Sequence, residues 1–115
     1  MAKPYHRALL PQVLDDLRAL AEFDDRLVDA ALQTIADLAE HRKTGKLLGY
    51  RHVSGDLRGC RRLRVDLPGE RPQRFRVIYR LTPDEDKADT VEVIAVGPRG
   101  GHAAYQAAAA RLTDT

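Results

Sequence analysis

Arg62 and Arg64 stand two residues apart in one stretch of the chain, and Arg74, Arg76 and Arg80 repeat that even spacing in the next. A guanidinium group is planar, presents paired N–H donors and keeps its charge near neutral pH, so a cluster of them suits a carboxylate or, better, a phosphate. For the same reason it is a poor proton acceptor. Five arginines at even spacing therefore point to holding an anion, and their use depends on whether the backbone brings them to one side.

The distribution of charge sharpens this. The whole chain has a formal net charge of only +2, yet residues 1–49 carry 7 basic and 8 acidic side chains, residues 50–80 carry 9 and 3, and residues 81–115 carry 3 and 6. Nearly all of the positive charge is central. Like charges placed close together destabilise a fold unless something compensates, and Asp66 and Glu70 are the few acids nearby. The competing explanation is that the arginines merely solubilise exposed faces. Their placement on strands favours an anionic partner, and RNA is the polyanion we expect.

Other chemistry is weakly signalled. Cys60 is the only cysteine, which rules out an intramolecular disulfide, and with no histidine at a recognisable spacing it reads as a small inert residue at a strand start. His6, His41, His52 and His102 form no HxH, HExxH or CxxC pattern, so no metal is expected. Gly100-Gly101 lies in no Walker or dinucleotide pattern and reads as a turn before a helix, so no small-molecule cofactor is expected either. Without an early apolar run long enough for a signal peptide or membrane span, the expectation is a cytoplasmic protein with no membrane partner.

The elements that must position the arginines follow from periodicity. At 115 residues, with 43% hydrophobic and 5% aromatic content, the chain has room for one domain (1–115) with an aliphatic core. Leu10, Val13, Leu14, Leu17 and Leu20 recur at three- and four-residue intervals and predict a helix over 9–21 with Pro11 in its first turn. Asp24 or Asp25 caps a second helix, striped by Val28, Ala31, Leu32, Ile35, Leu38 and Ala39, running to about residue 40. Residues 41–59 contain four glycines and read as a connection with short extended pieces.

Spacing then switches to alternation. Strands are expected over 60–67, 74–81 and 90–96, the last apolar at almost every position and therefore covered on both faces. The alanine-rich HAAYQAAAARL forms a short final helix. Two consecutive strands with a short join pair antiparallel, which would put Arg62, Arg64, Arg74 and Arg76, with Arg80 at the margin, on one side of one sheet.

The order helix, helix, three strands, short helix, together with GCRRLRVD, RFRVIYRL, VEVIAVGPR and HAAYQAAAARL, resembles the RelE/ParE superfamily of toxins from bacterial toxin–antitoxin modules, over residues 9–112. The resemblance implies an α+β fold in which an N-terminal helical hairpin packs on a three- to four-stranded, mainly antiparallel sheet with a short C-terminal helix. In the RelE branch it implies ribosome-dependent cleavage of messenger RNA, with mRNA on the ribosome and a cognate antitoxin as partners. Carried over position by position, the catalytic surface falls on Arg62, Arg64, Arg76, Arg99 and Tyr105, with Arg61, Arg74 and Arg80 extending the RNA-binding surface. The implied reaction is attack of a 2′-hydroxyl on the adjacent phosphate, stabilised by arginine.

Two departures from the family matter. Arg62 and Arg64 stand where some RelE-like nucleases have lysines, so the general base shifts to Tyr105 or His102, which are three residues apart and would share a helix face. Residues 4–8 also make an unconvincing first strand, so the sheet is expected to lack an edge strand that the superfamily usually has. The resemblance leaves open a ParE-like inhibitor of DNA gyrase, or a toxin fold that only binds a partner.

Overall fold

The computed structural model describes residues 2–51 and 55–113; His52 lies outside them. The chain runs β1 (His6–Leu9), α1 (Gln12–Phe23), α2 (Asp25–Ala39), β2 (Lys46–Leu47), β3 (Tyr50–Arg51), β4 (Gly55–Asp56), β5 (Cys60–Val65), β6 (Phe75–Thr82), β7 (Thr90–Pro98), a short 3-10 turn (Gly100–His102) and α3 (Ala103–Thr113). Five strands in the order β1-β7-β6-β5-β2 form one sheet, antiparallel except for β1, which runs parallel to β7. β3 and β4 pair with each other in a separate ribbon.

The helical hairpin forms around a single joining residue. Asp24 takes extended backbone (φ −167°, ψ 123°), which ends α1, and its carboxylate accepts the Arg26 N–H at 2.9 Å, which caps α2. Val13, Leu20, Leu27, Ala31, Ile35 and Leu38 then pack on the sheet face made by residues such as Val65, Phe75, Val77, Tyr79 and Val91. On the opposite face α3 sets Ala104, Tyr105, Ala108 and Ala109 against Cys60, Ile78, Ile94 and Ala95. Both faces are thus covered, which is why β7 is apolar nearly throughout.

A bulge in β7 decides what lies under α3. The register with β6 slips between Ile78 and Tyr79, so Ile78 pairs with Ala95 but Tyr79 pairs with Val93, leaving Ile94 as the extra residue. Ile94 and Ala95 consequently both face α3, and the alternation is reset. Val96 returns to the hairpin side, while Gly97, opposite Arg76 in the register, lies beneath Ala104 of α3.

The first strand is a departure from expectation. β1 pairs residue for residue with Thr90–Val93 of β7, although its burial runs exposed, exposed, half-buried, exposed. It is held by backbone hydrogen bonds at a sheet edge, and an edge strand that buries so little side chain leaves no alternating pattern to read. α1 accordingly begins at Gln12 rather than residue 9, after the Leu10 N–H has reached Val93 O at 3.0 Å. The stretch 41–59 likewise contributes β2, a second edge on β5, so the sheet has five strands rather than three or four.

Beyond Val93 the β1 side of β7 has no strand partner among the described residues, and a carboxylate and a guanidinium take its place. Asp16 of α1 accepts the Val96 N–H at 2.9 Å, while Arg111 of α3 donates to Ile94 O at 3.0 Å and forms a two-pronged pair with Asp16 at 2.7 and 2.8 Å. One ion pair therefore closes the sheet edge and ties the first helix to the last. Asp16→Asn removes the charge but keeps the shape, and should lower the unfolding free energy by about 2 kcal/mol or more, because Arg111 is left largely buried without its counter-charge. The readout is a lower urea midpoint at an unchanged m-value.

Candidate anion-binding site

The alternation of β5 and β6 does bring arginines to one side, but α3 divides that side rather than leaving it open. Arg64 and Arg76 are directly opposite each other in the antiparallel register. At this end of the sheet, before the first turn of α3, Arg64, Arg71, Arg76 and Arg99 line a cleft of about 440 Å3 completed by Pro72 and Gln73. Among the described residues no acidic side chain is part of the lining.

Arg76 is the centre of the cleft chemically. Its residue surface is only 5% exposed. Nη1 donates to the backbone oxygens of Gln73 (3.0 Å) and Phe75 (2.9 Å), and Nε donates to the Tyr105 hydroxyl at 3.2 Å. These are neutral acceptors. They satisfy the Nη1 and Nε donors without supplying a negative charge, so a bound anion has a full charge to compensate. Arg64 beside it is exposed, and like charges directly across a strand pair repel.

The other arginines show how unusual this is within the chain. Arg7, Arg18, Arg26, Arg42, Arg58, Arg61, Arg74, Arg80 and Arg111 each pair with a carboxylate. Arg64, Arg71, Arg76 and Arg99 pair with none among the described residues. Among the described residues, acids thus neutralise these nine arginines and leave the four in this cleft without a carboxylate.

Three of the arginines expected to extend an RNA surface are engaged internally. Arg61 forks onto Glu85 at 2.7 and 3.0 Å and also donates to Gly45 O. Arg80 is paired with Glu92 near the other end of α3. Arg74 leaves the shared face altogether: its guanidinium pairs with both oxygens of buried Asp66, at 2.8 and 2.9 Å, and stacks over Phe23 and Phe75. The Arg74 hydrogen bonds hold the Asp66 carboxyl down at about 2, well below the usual carboxylate range. Their acidic partners lie 8 to 24 residues away in the chain, so no local pattern announces the pairs. Arg62 is half-buried on the α3 side of β5, away from the cleft lining.

Tyr105 and His102 do not share a helix face. His102 precedes α3, is exposed, and has a left-handed backbone (φ 58°) at the end of the turn that begins after Arg99. Tyr105 lies in α3, is 4% exposed and packs with Ile78 and Ile94. Its hydroxyl meets Arg76 from beneath rather than lining the cleft. Arg71, conversely, was not singled out in the sequence, because it falls in the Pro-rich β5–β6 connection, outside any strand alternation. Cys60 is buried, and burial pushes its thiol pKa up, which disfavours the nucleophilic thiolate. Among the described residues no three or more His, Cys, Asp or Glu side chains are grouped to hold a metal ion, and no helix is long and apolar enough to cross a membrane.

The architecture is that of the RelE/ParE toxins. A mutant of the Escherichia coli toxin RelE in the free state superposes with a TM-score of 0.64 at 19% identity, covering 95% of this chain and 98% of that one. The toxin–antitoxin complex RelBE2 from Mycobacterium tuberculosis gives a TM-score of 0.60 at 24% identity, covering 86% and 95%. At these identities the likeness speaks for the fold. No curated protein matches the sequence as a whole. The family is given by the sequence: residues 8–102 match the model of the ParE toxin of the type II toxin–antitoxin system, parDE, and the chain belongs to that family.

An anion site of this kind has a thermal signature. Inorganic phosphate should raise the melting temperature more than chloride does at equal ionic strength, because it binds the native state alone. In Arg64→Ala the extra rise should disappear, while melting in chloride stays level or moves up with the loss of a like-charged neighbour of Arg76. Equal phosphate responses in the two proteins would contradict the site.

Proposed function

We propose that this toxin is an endoribonuclease of the RelE type, cutting mRNA on the ribosome with the arginine cleft around the scissile phosphate. The observation that carries the reading is the buried Arg76 guanidinium, which among the described residues is hydrogen-bonded to neutral oxygens alone and flanked by three further arginines without carboxylate partners. In the reaction the 2′-oxygen gives up its proton and bonds to phosphorus while the bond to the 5′-oxygen breaks, and that oxygen takes a proton from water, giving a 2′,3′-cyclic phosphate and a free 5′-hydroxyl. The phosphorane between them carries extra negative charge, and preorganised cations aimed at it lower the barrier.

The positions support the following roles. Arg76 and Arg64 neutralise the non-bridging oxygens, with Arg71 and Arg99 closing on them from the loop and the turn. Tyr105, beneath Arg76, is a positioning residue that fixes the guanidinium. His102, exposed on the turn that carries Arg99, takes the 2′-hydroxyl proton. A cognate antitoxin rich in acidic side chains would cover the cleft and relieve the same repulsion that RNA relieves.

A second reading, inhibition of DNA gyrase, is favoured by the name of the matching family and by a cleft lining that holds no proton acceptor. The two readings separate experimentally. Purified protein should cleave mRNA when ribosomes are present, and Arg76→Gln should reduce the rate by roughly 100-fold or more, the loss typical of a missing oxyanion donor. Full cleavage by that variant would remove the catalytic assignment, and loss of gyrase supercoiling without any RNA cleavage would establish the second reading.

A further inference from the structure

Phe23 and the groove it borders have no part in the chemistry above. Phe23 ends α1 and is 62% exposed, although the ring it touches, Phe75, is buried. The two rings meet edge to face, with centroids 5.6 Å apart and planes at 73°, and the Arg74 guanidinium lies 5.1 Å from the centroid of the Phe23 ring. Pro72, Gln73, Pro98, Arg99 and Gly100 complete a mainly apolar groove of about 390 Å3 around them. Pro72, Gln73 and Arg99 line both this groove and the arginine cleft, so the two hollows adjoin.

The parts are held in place. Asp24 fixes the end of α1 through its capping hydrogen bond, and therefore fixes the residue before it. Asp66 grips the Arg74 guanidinium with both oxygens, so the cation is a flat wall beside the phenyl ring rather than a mobile phosphate ligand. A lone exposed phenylalanine is ordinary on a protein surface. A rigid aromatic ring with a stacked guanidinium and two prolines, next to a cleft of unpaired arginines, is the combination by which proteins hold single strands, with cations on the backbone and π-faces on the bases.

We propose that the groove is a base-stacking subsite for an unpaired nucleotide. With a phosphate in the Arg64, Arg71, Arg76 and Arg99 cleft, the adjoining base lies against Phe23 and between Pro72 and Pro98. The inference rests on the RNA reading above and adds to it the substrate class: a strand whose bases are free, since a paired base has no exposed face to offer. It also gives Arg74 a task, as part of the stacking wall instead of the phosphate cleft.

The chain contains no tryptophan, so Phe23→Trp creates a single indole in the groove, excited selectively over the four tyrosines. Short single-stranded oligoadenylate should quench it, while an abasic strand of the same length and inorganic phosphate should not. In parallel, Phe23→Ser, with folding checked by thermal melting, should bind oligoadenylate about ten-fold more weakly by fluorescence anisotropy. Its salt dependence should match the wild type, because the phosphate contacts are untouched. Binding of oligoadenylate without quenching, equal affinity for the abasic strand, or quenching by the antitoxin alone would each overturn the subsite. If Phe23→Ser binds normally while Arg76→Gln does not, the stacking groove fails and the phosphate cleft stands; if neither variant affects binding, the RNA reading itself fails.

Discussion

Arg76 lies on β6 under the start of α3 with its N–H groups directed at two backbone carbonyls and a tyrosine hydroxyl, and no carboxylate approaches it among the described residues. A buried guanidinium without counter-charge is costly, and the surroundings offset part of that cost by accepting from Nη1 and Nε. Tyr105 is placed there by α3, and α3 can lie close to the sheet because the residues between them are mostly alanine. The β7 bulge turns Gly97, rather than a larger side chain, to the position beside Arg76. The Asp16–Arg111 pair then fastens α3 to α1 and to the open edge of β7. Each of these features is explained most simply as support for one preorganised cation.

The partition of charge across the fold has the same logic. Carboxylates are distributed so that cations on the helices, the ribbon and the far end of the sheet are neutralised at short range. The four guanidinium groups around one hollow have no such carboxylate among the described residues. An excess confined to a cleft focuses the field and attracts a polyanion without making the whole surface adhesive, in keeping with a net charge of only +2. Membership of a toxin–antitoxin family fits this economy, since one acidic partner segment could switch the cleft off by occupying it.

Much of this was legible in the residues themselves. The helical stripes of the hairpin and the alternation in β5 and β6 are strong periodic signals, and they correctly oppose Val77 and Tyr79 to Arg76 and Ile78. β1 was not legible, because a strand held at an edge by backbone bonds does not need alternating side chains. Alternation also predicted that Arg74 and Arg80 would stand with Arg76, and it could not show that Asp66 and Glu92 would claim them, because ion pairs across a sheet depend on three-dimensional register. Arg71 was overlooked because a loop residue has no periodicity at all. His102 and Tyr105 were read as one helix face, but a left-handed residue at 102 starts the helix one position later.

The central claim is that the unpaired arginines, and not the ion-paired ones, meet the phosphate. Arginine Nε–Hε resonances followed by NMR during titration with a short single-stranded RNA address it directly. The signals of Arg64, Arg71, Arg76 and Arg99 should shift together and saturate at one stoichiometry, while those of Arg61, Arg80 and Arg111 keep their carboxylate partners and their positions. Shifts concentrated on the ion-paired set, or an unmoved Arg76 resonance at saturating RNA, would contradict it.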